Sequence, residues 1–132
     1  MTQILLDTNV LIWALLEPAR LPGDIAGPIR DPGNKVWFSA ASIWEIAIKK
    51  ALGRVRFTRD PSAVLEVALK TGFSELPVRS DAAILVASLP MHHKDPFDRL
   101  LVAQAIFEPV NLITADRLLT RYSELVRAFN PL

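Results

Sequence analysis

Short apolar runs that alternate with helical segments constrain this chain more than any other feature. Ile4-Leu5-Leu6 reads as a strand buried on both faces, and it ends at Asp7-Thr8-Asn9, three residues that cap helices well. Val10 to Leu16 is then apolar nearly all round, as in a buried helix. Leu21 to Asp31 holds two glycines and two prolines, so any helix there is short. Lys35 to Phe38 reads as a second strand. Ser39 follows as a cap, and Ala40 to Leu52 is a helix stopped by Gly53, with Lys49 and Lys50 in its last turns. Further helices are expected over Pro61–Thr71, with Gly72 as its stop, over Ser80–Leu89, halted by Pro90, and from Asp95 to about Phe107. Strands are expected at Phe73–Val78, Asn111–Thr114 and Leu125–Phe129, with a short helix at Ala115–Thr120. This alternation predicts an α/β fold with a mainly parallel sheet.

The 132 residues are expected to form one domain, 1–132. There are no cysteines, so disulfides and thiolate metal sites are excluded and only nitrogen and oxygen ligands remain. A net charge of +1 does not announce a nucleic-acid binder, and any basic footprint has to be local. Asp7 interrupts the first apolar run, no basic segment precedes it, and no stretch reaches the roughly 20 apolar residues of a spanning helix. The expectation is a cytoplasmic protein with no membrane partner.

In an open parallel sheet the strand C-termini and the following helix N-termini share one edge, where ligands bind. Asp7 follows the first strand, Glu45 sits in the second turn of the helix after the second strand, and Asp116 lies two residues past the strand ending at Thr114. Asp98 joins them. Asp95 is a good N-cap, Pro96 suits the first helical position, and Asp98 then falls in the first turn. Each acid has an ordinary reading as a cap, a dipole partner or an ion pair. Together they put four like charges at one edge, which is costly without a counter-ion. Oxygen donors without cysteine suit Mg²⁺ or Mn²⁺, singly or as a pair. Such ions hydrolyse phosphodiesters by neutralising phosphate and activating water.

Lys49, Lys50, Arg54, Arg56 and Arg59 form the only basic concentration, readable as a solvated helix end or as phosphate contacts. His92 and His93 are weaker metal candidates, because adjacent side chains point in different directions. Trp13, Trp37 and Trp44 read as core or subunit interface before base-stacking platforms.

These segments resemble a known family. Leu5-Leu6-Asp7-Thr8-Asn9 resembles the opening strand of PIN domains, and Ser42-Ile43-Trp44-Glu45-Ile46-Ala47-Ile48-Lys49 their second acidic segment. His93-Lys94-Asp95-Pro96-Phe97-Asp98-Arg99 resembles the distinctive segment of one subgroup, and Ile113-Thr114-Ala115-Asp116 the closing Thr-x-Asp. The whole resembles VapC-type toxins of bacterial and archaeal toxin–antitoxin pairs. The resemblance implies a three-layer α/β/α sandwich around a parallel sheet of about five strands. It also implies metal-dependent cleavage of RNA, usually tRNA or rRNA, homodimerisation, and inhibition by a DNA-binding, VapB-like antitoxin in a hetero-oligomer. The family's acidic positions carry over onto Asp7, Glu45, Asp98 and Asp116, as catalytic residues and ligands of Mg²⁺ or Mn²⁺. Lys49, Arg54, Arg56, Arg59 and Arg99 are the expected RNA contacts. Thr8, Asn9, Thr114 and Asp95 are expected to support the acids, Asp95 as a cap first.

Two rival enzyme and binding classes stand beside this reading. An aspartyl-phosphate phosphatase would present Asp7 as nucleophile but usually has a second Asp two residues on, where this chain has Asn9. A receiver domain needs an acceptor Asp ending a middle strand, and Phe73–Val78 offers none. A PIN-like binding protein without activity is the remaining alternative, and the intact acidic set argues against it.

Overall fold

The computed structural model describes residues 1–54 and 59–132. The strands are β1 (Gln3–Leu6), β2 (Lys35–Ser39), β3 (Ser74–Leu76), β4 (Asn111–Thr114) and β5 (Val126–Ala128). The α-helices are α1 (Thr8–Leu16), α2 (Gly23–Arg30), α3 (Ala40–Ala51), α4 (Pro61–Thr71), α5 (Ser80–Leu85) and α6 (Pro96–Phe107). Short 3₁₀ turns occupy Pro18–Arg20, Val86–Ser88 and Arg117–Arg121. The strands pair in the order β3-β2-β1-β4-β5, all parallel. The order reverses between β1 and β4, which makes that junction the switch point where an open α/β sheet leaves a crevice.

Alternation along the strands divides the core into two layers. Ile4, Leu6, Phe38 and Ile113 face one side, against Val10 and Leu11 of α1, Ile25 and Ile29 of α2, Ile46 of α3, and Val64 and Ala68 of α4. Leu5 and Leu112 face the other, against Leu101, Val102 and Ala105 of α6. The fold is therefore a three-layer α/β/α sandwich, as the resemblance implies. Among the described residues no helix is long and apolar enough to cross a membrane.

The helix starts are set by local chemistry. Asp7, Ser39, Asp60 and Asp95 each accept a first-turn amide as N-caps. The helix expected over Ser80–Leu89 is shorter. It tightens to a 3₁₀ turn after Leu85, and Leu89 is extended because the residue before Pro90 is driven out of helical conformation. The short helix expected after β4 is a 3₁₀ turn beginning at Arg117, since Asp116 stays extended to cap it. The final strand keeps only three residues, Val126–Ala128. Trp44 departs from the core reading: it is 60% exposed on α3 and packs edge-on against Phe97 with ring centroids 5.3 Å apart.

Gly72 ends α4 at φ 99°, a conformation that side chains with a Cβ resist. Chemical denaturation should therefore show Gly72→Ala destabilised by about 1 kcal/mol.

Candidate functional site

The site begins with the register of β1 against β4. Leu6 pairs with Ile113, so Asp7 and Thr114 emerge side by side, and the Asp7 amide donates to the Ile113 carbonyl at 3.1 Å. Asp7 is buried. Its Oδ1 accepts from the Val10 amide at 2.8 Å and its Oδ2 from the Thr114 hydroxyl at 2.5 Å. Thr114 Oγ1 in turn accepts from the Asp116 amide at 3.0 Å, which joins the first and last acids. Burial pushes the Asp7 carboxyl up to about 6; these hydrogen bonds oppose the rise, and the charges of Glu45 and Asp116 add to it.

Glu45 lies inside α3 because Ser39 caps that helix, with its hydroxyl accepting from Ala41 at 3.0 Å. The carboxylate is buried. It accepts from the Thr8 hydroxyl at 2.6 Å and forms an ion pair with Lys49 one helical turn on. Asp98 sits in the first turn of α6, below the Asp95 cap, whose Oδ1 accepts from the Phe97 amide at 2.8 Å and the Asp98 amide at 3.3 Å. Burial raises the Asp98 carboxyl to about 8, and the charges of Asp95, Asp7, Glu45 and Asp116 all push the same way. Asp116 caps the turn after β4, Oδ1 accepting from the Leu118 amide at 3.0 Å. The fold thus brings Asp7, Glu45, Asp98 and Asp116 within electrostatic reach of one another at the sheet's C-terminal edge.

His93, a weaker candidate in the sequence, joins the acids in the structure. His93 Nε2 lies 2.6 Å from Asp116 Oδ2 and 3.7 Å from Asp98 Oδ2. His93, Asp98 and Asp116 offer ligand atoms within 4.8 Å of one another. The divergence of adjacent side chains does hold, but it separates the two histidines rather than removing both. His92 packs edge-on against Tyr122 at 5.0 Å, while His93 turns inward.

The expected RNA contacts fall into different places. Arg99 is buried, and its guanidinium donates to the carbonyls of Val86, Leu89 and Pro90 and to the Tyr122 hydroxyl. It clamps the loop before α6 and is not presented to a ligand. Lys49 is paired with Glu45 at the site. Arg54 and Arg59 are exposed, and Arg56 lies outside the described residues. Among the supporting residues, Thr8 and Thr114 hold acids directly, whereas Asn9 is exposed and lines a separate pocket with Ile12, Trp13, Glu17 and Arg20.

The donor set suits a hard divalent cation: carboxylate oxygens at a protein edge, two of them raised in pKa by burial and by their neighbours' charge. A cation among them would relieve both causes.

The family profile described as PIN domain matches residues 4–125. No curated protein sequence matches the chain. Among solved structures, the chain is similar to one described as VapBC2 from Rickettsia felis bound to a DNA fragment from their promoter, with TM-score 0.70, 14% identity, and coverage of 98% of this chain and 99% of that one. It is also similar to a domain of a functionally unknown protein from Methanocaldococcus jannaschii, with TM-score 0.62, 14% identity, and coverage of 98% and 92%.

Asp7 and Asp98 bind protons more tightly folded than at the ordinary carboxyl value of 3.8. Their contribution to stability is complete below that value and is lost as pH rises through about 6 and then about 8. With chelator present, thermal melts should show stability falling from pH 5 to pH 9. Asp98→Asn should flatten that fall and exceed the parent at pH 9 by on the order of 2 kcal/mol. A parent whose stability rises over this range would contradict the shifts.

Proposed function

The chain belongs to the PIN domain family, and on that premise we propose that it is a divalent-metal-dependent endoribonuclease, the toxin of a toxin–antitoxin pair. The observation that carries the proposal is the electrostatic coupling of Asp7, Glu45, Asp98 and Asp116 at the C-terminal edge of a parallel sheet, with the carboxyls of Asp7 and Asp98 raised first by burial and further by their neighbours' charge. The likeness to a VapBC2 chain supports the toxin reading, and with it a VapB-like antitoxin partner. The homodimer, the choice of RNA, with tRNA or rRNA as its class, and a cytoplasmic site of action rest on the resemblance of the sequence motifs to VapC-type toxins.

Asp7, Glu45, Asp98 and Asp116 would hold Mg²⁺ or Mn²⁺. When bound, the ion supplies neutralisation of phosphodiester charge and activation of an attacking water. The chain's own groups do the rest. Thr114 and the Val10 amide orient both oxygens of Asp7, and Thr8 and Lys49 fix the two oxygens of Glu45. A cation there would require the Asp7 and Asp98 carboxyls in their deprotonated forms, so its affinity would rise with pH up to about 8. Arg54 and Arg59, exposed beyond the end of α3, supply positive charge for the RNA backbone.

Asp7→Asn keeps the shape of the side chain and removes its charge. Cleavage of a labelled RNA pool should fall at least ~100-fold while the fold survives, and chelation should abolish cleavage by the parent. Near-parental cleavage by the variant would sink the assignment. Replacing Arg54 and Arg59 together by Ala should weaken RNA binding with little change in sequence preference, and should reduce the slope of log affinity against log salt by about 1. An unchanged slope would return both residues to a solvated loop.

A further inference from the structure

We propose that His93 is a positioning residue of the metal site: it donates a hydrogen bond from Nε2 to Asp116 and is not itself a ligand. This deepens the reading above and rests on it. The spacing of His93, Asp98 and Asp116 fits a three-residue ligand set, so the two roles must be separated by the chemistry of the ring. The Asp95 amide donates to His93 Nδ1 at 3.0 Å. An N–H aimed at Nδ1 requires a lone pair there, which puts the proton of the neutral ring on Nε2. The imidazolium is disfavoured by the same contact, because its second proton would sit on Nδ1 against the Asp95 N–H. The nitrogen facing the carboxylates is therefore a donor, with no lone pair to offer a cation. To ligate through Nε2, the ring would have to carry its proton on Nδ1, facing the Asp95 N–H as two opposed donors.

The surroundings hold this arrangement from several sides. The His93 amide donates to the Tyr122 hydroxyl at 2.9 Å, and Arg99 donates to the same oxygen at 3.1 Å. Arg99 also fastens the carbonyls of Val86, Leu89 and Pro90, so the backbone leading into His93 is anchored to α6. Asp116 is then pinned at both ends, Oδ1 by the Leu118 amide and Oδ2 by His93. Without His93 only one pin remains, and the carboxylate is free to turn from the edge. The cation's protein donors are oxygens alone, with Asp116 held in place for it by the ring.

The experiment uses the full chain with Mn²⁺ as probe. Electron spin-echo spectra of the Mn²⁺-loaded parent should lack the coupling of a directly bonded imidazole nitrogen. Mn²⁺ affinity should fall about tenfold in His93→Ala and return to within about threefold of the parent in His93→Gln, whose amide restores a donor near Nε2. Long-range ¹H–¹⁵N spectra of the metal-free parent should show Nε2 protonated. A bonded-nitrogen signal, a proton on Nδ1 alone, or parental affinity in His93→Ala would each overturn the proposal while leaving the metal site standing. A parent that binds no Mn²⁺ would overturn the metal-site reading itself and this proposal with it.

Discussion

Pairing of β1 with β4 is the constraint on which the acidic edge depends. Because Leu6 lies opposite Ile113, Asp7, just past the end of β1, lies level with Thr114, the last residue of β4, and the two meet. One hydroxyl then serves two acids, donating to Asp7 and accepting from the amide of Asp116. A slip of one position in a parallel sheet would turn the side chains to the opposite face and dismantle this link. The two core layers enforce the register, since Ile4 and Leu6 must stay on one face and Leu5 on the other.

The acids brought together are not compensated equally. Glu45 has Thr8 and Lys49, Asp116 has His93 and the Leu118 amide, and Asp7 has Thr114 and the Val10 amide. Asp98 differs. The causes acting on its carboxyl all raise it, and His93 Nε2 lies 3.7 Å away, beyond hydrogen-bonding distance. The imbalance makes Asp98 the acid whose charge would gain most from a cation beside it, at the N-terminus of α6, where the helix dipole already favours negative charge.

Much of this was legible in the sequence because it is set by neighbours along the chain. Caps such as Asp7, Ser39 and Asp95 announce their helices locally, and strands that alternate with helices imply a parallel sheet whose C-terminal edge gathers whatever follows each strand. The four acids could be assembled on paper by that rule alone. Arg99 could not be read this way. A cation beside Asp98 looks like a phosphate contact or an ion pair, but its partners are carbonyls nine to thirteen residues back and a tyrosine hydroxyl. Those depend on how an irregular loop folds, for which the sequence has no period. His93 was hidden for the same reason, since its inward turn is decided by contacts with Tyr122 and Asp95.

The central place of β1 also bears on the order in which the molecule can be made. Asp7 is made well before its hydroxyl partner, which comes 107 residues later in the chain. Until β4 has emerged, β1 lacks one of its two neighbours and the crevice at the switch point has only one wall. Asp116 and the Tyr122 anchor for His93 arrive later still. A growing chain therefore carries its acids as separate, solvated side chains, and the edge is completed only when β4 and β5 close the sheet.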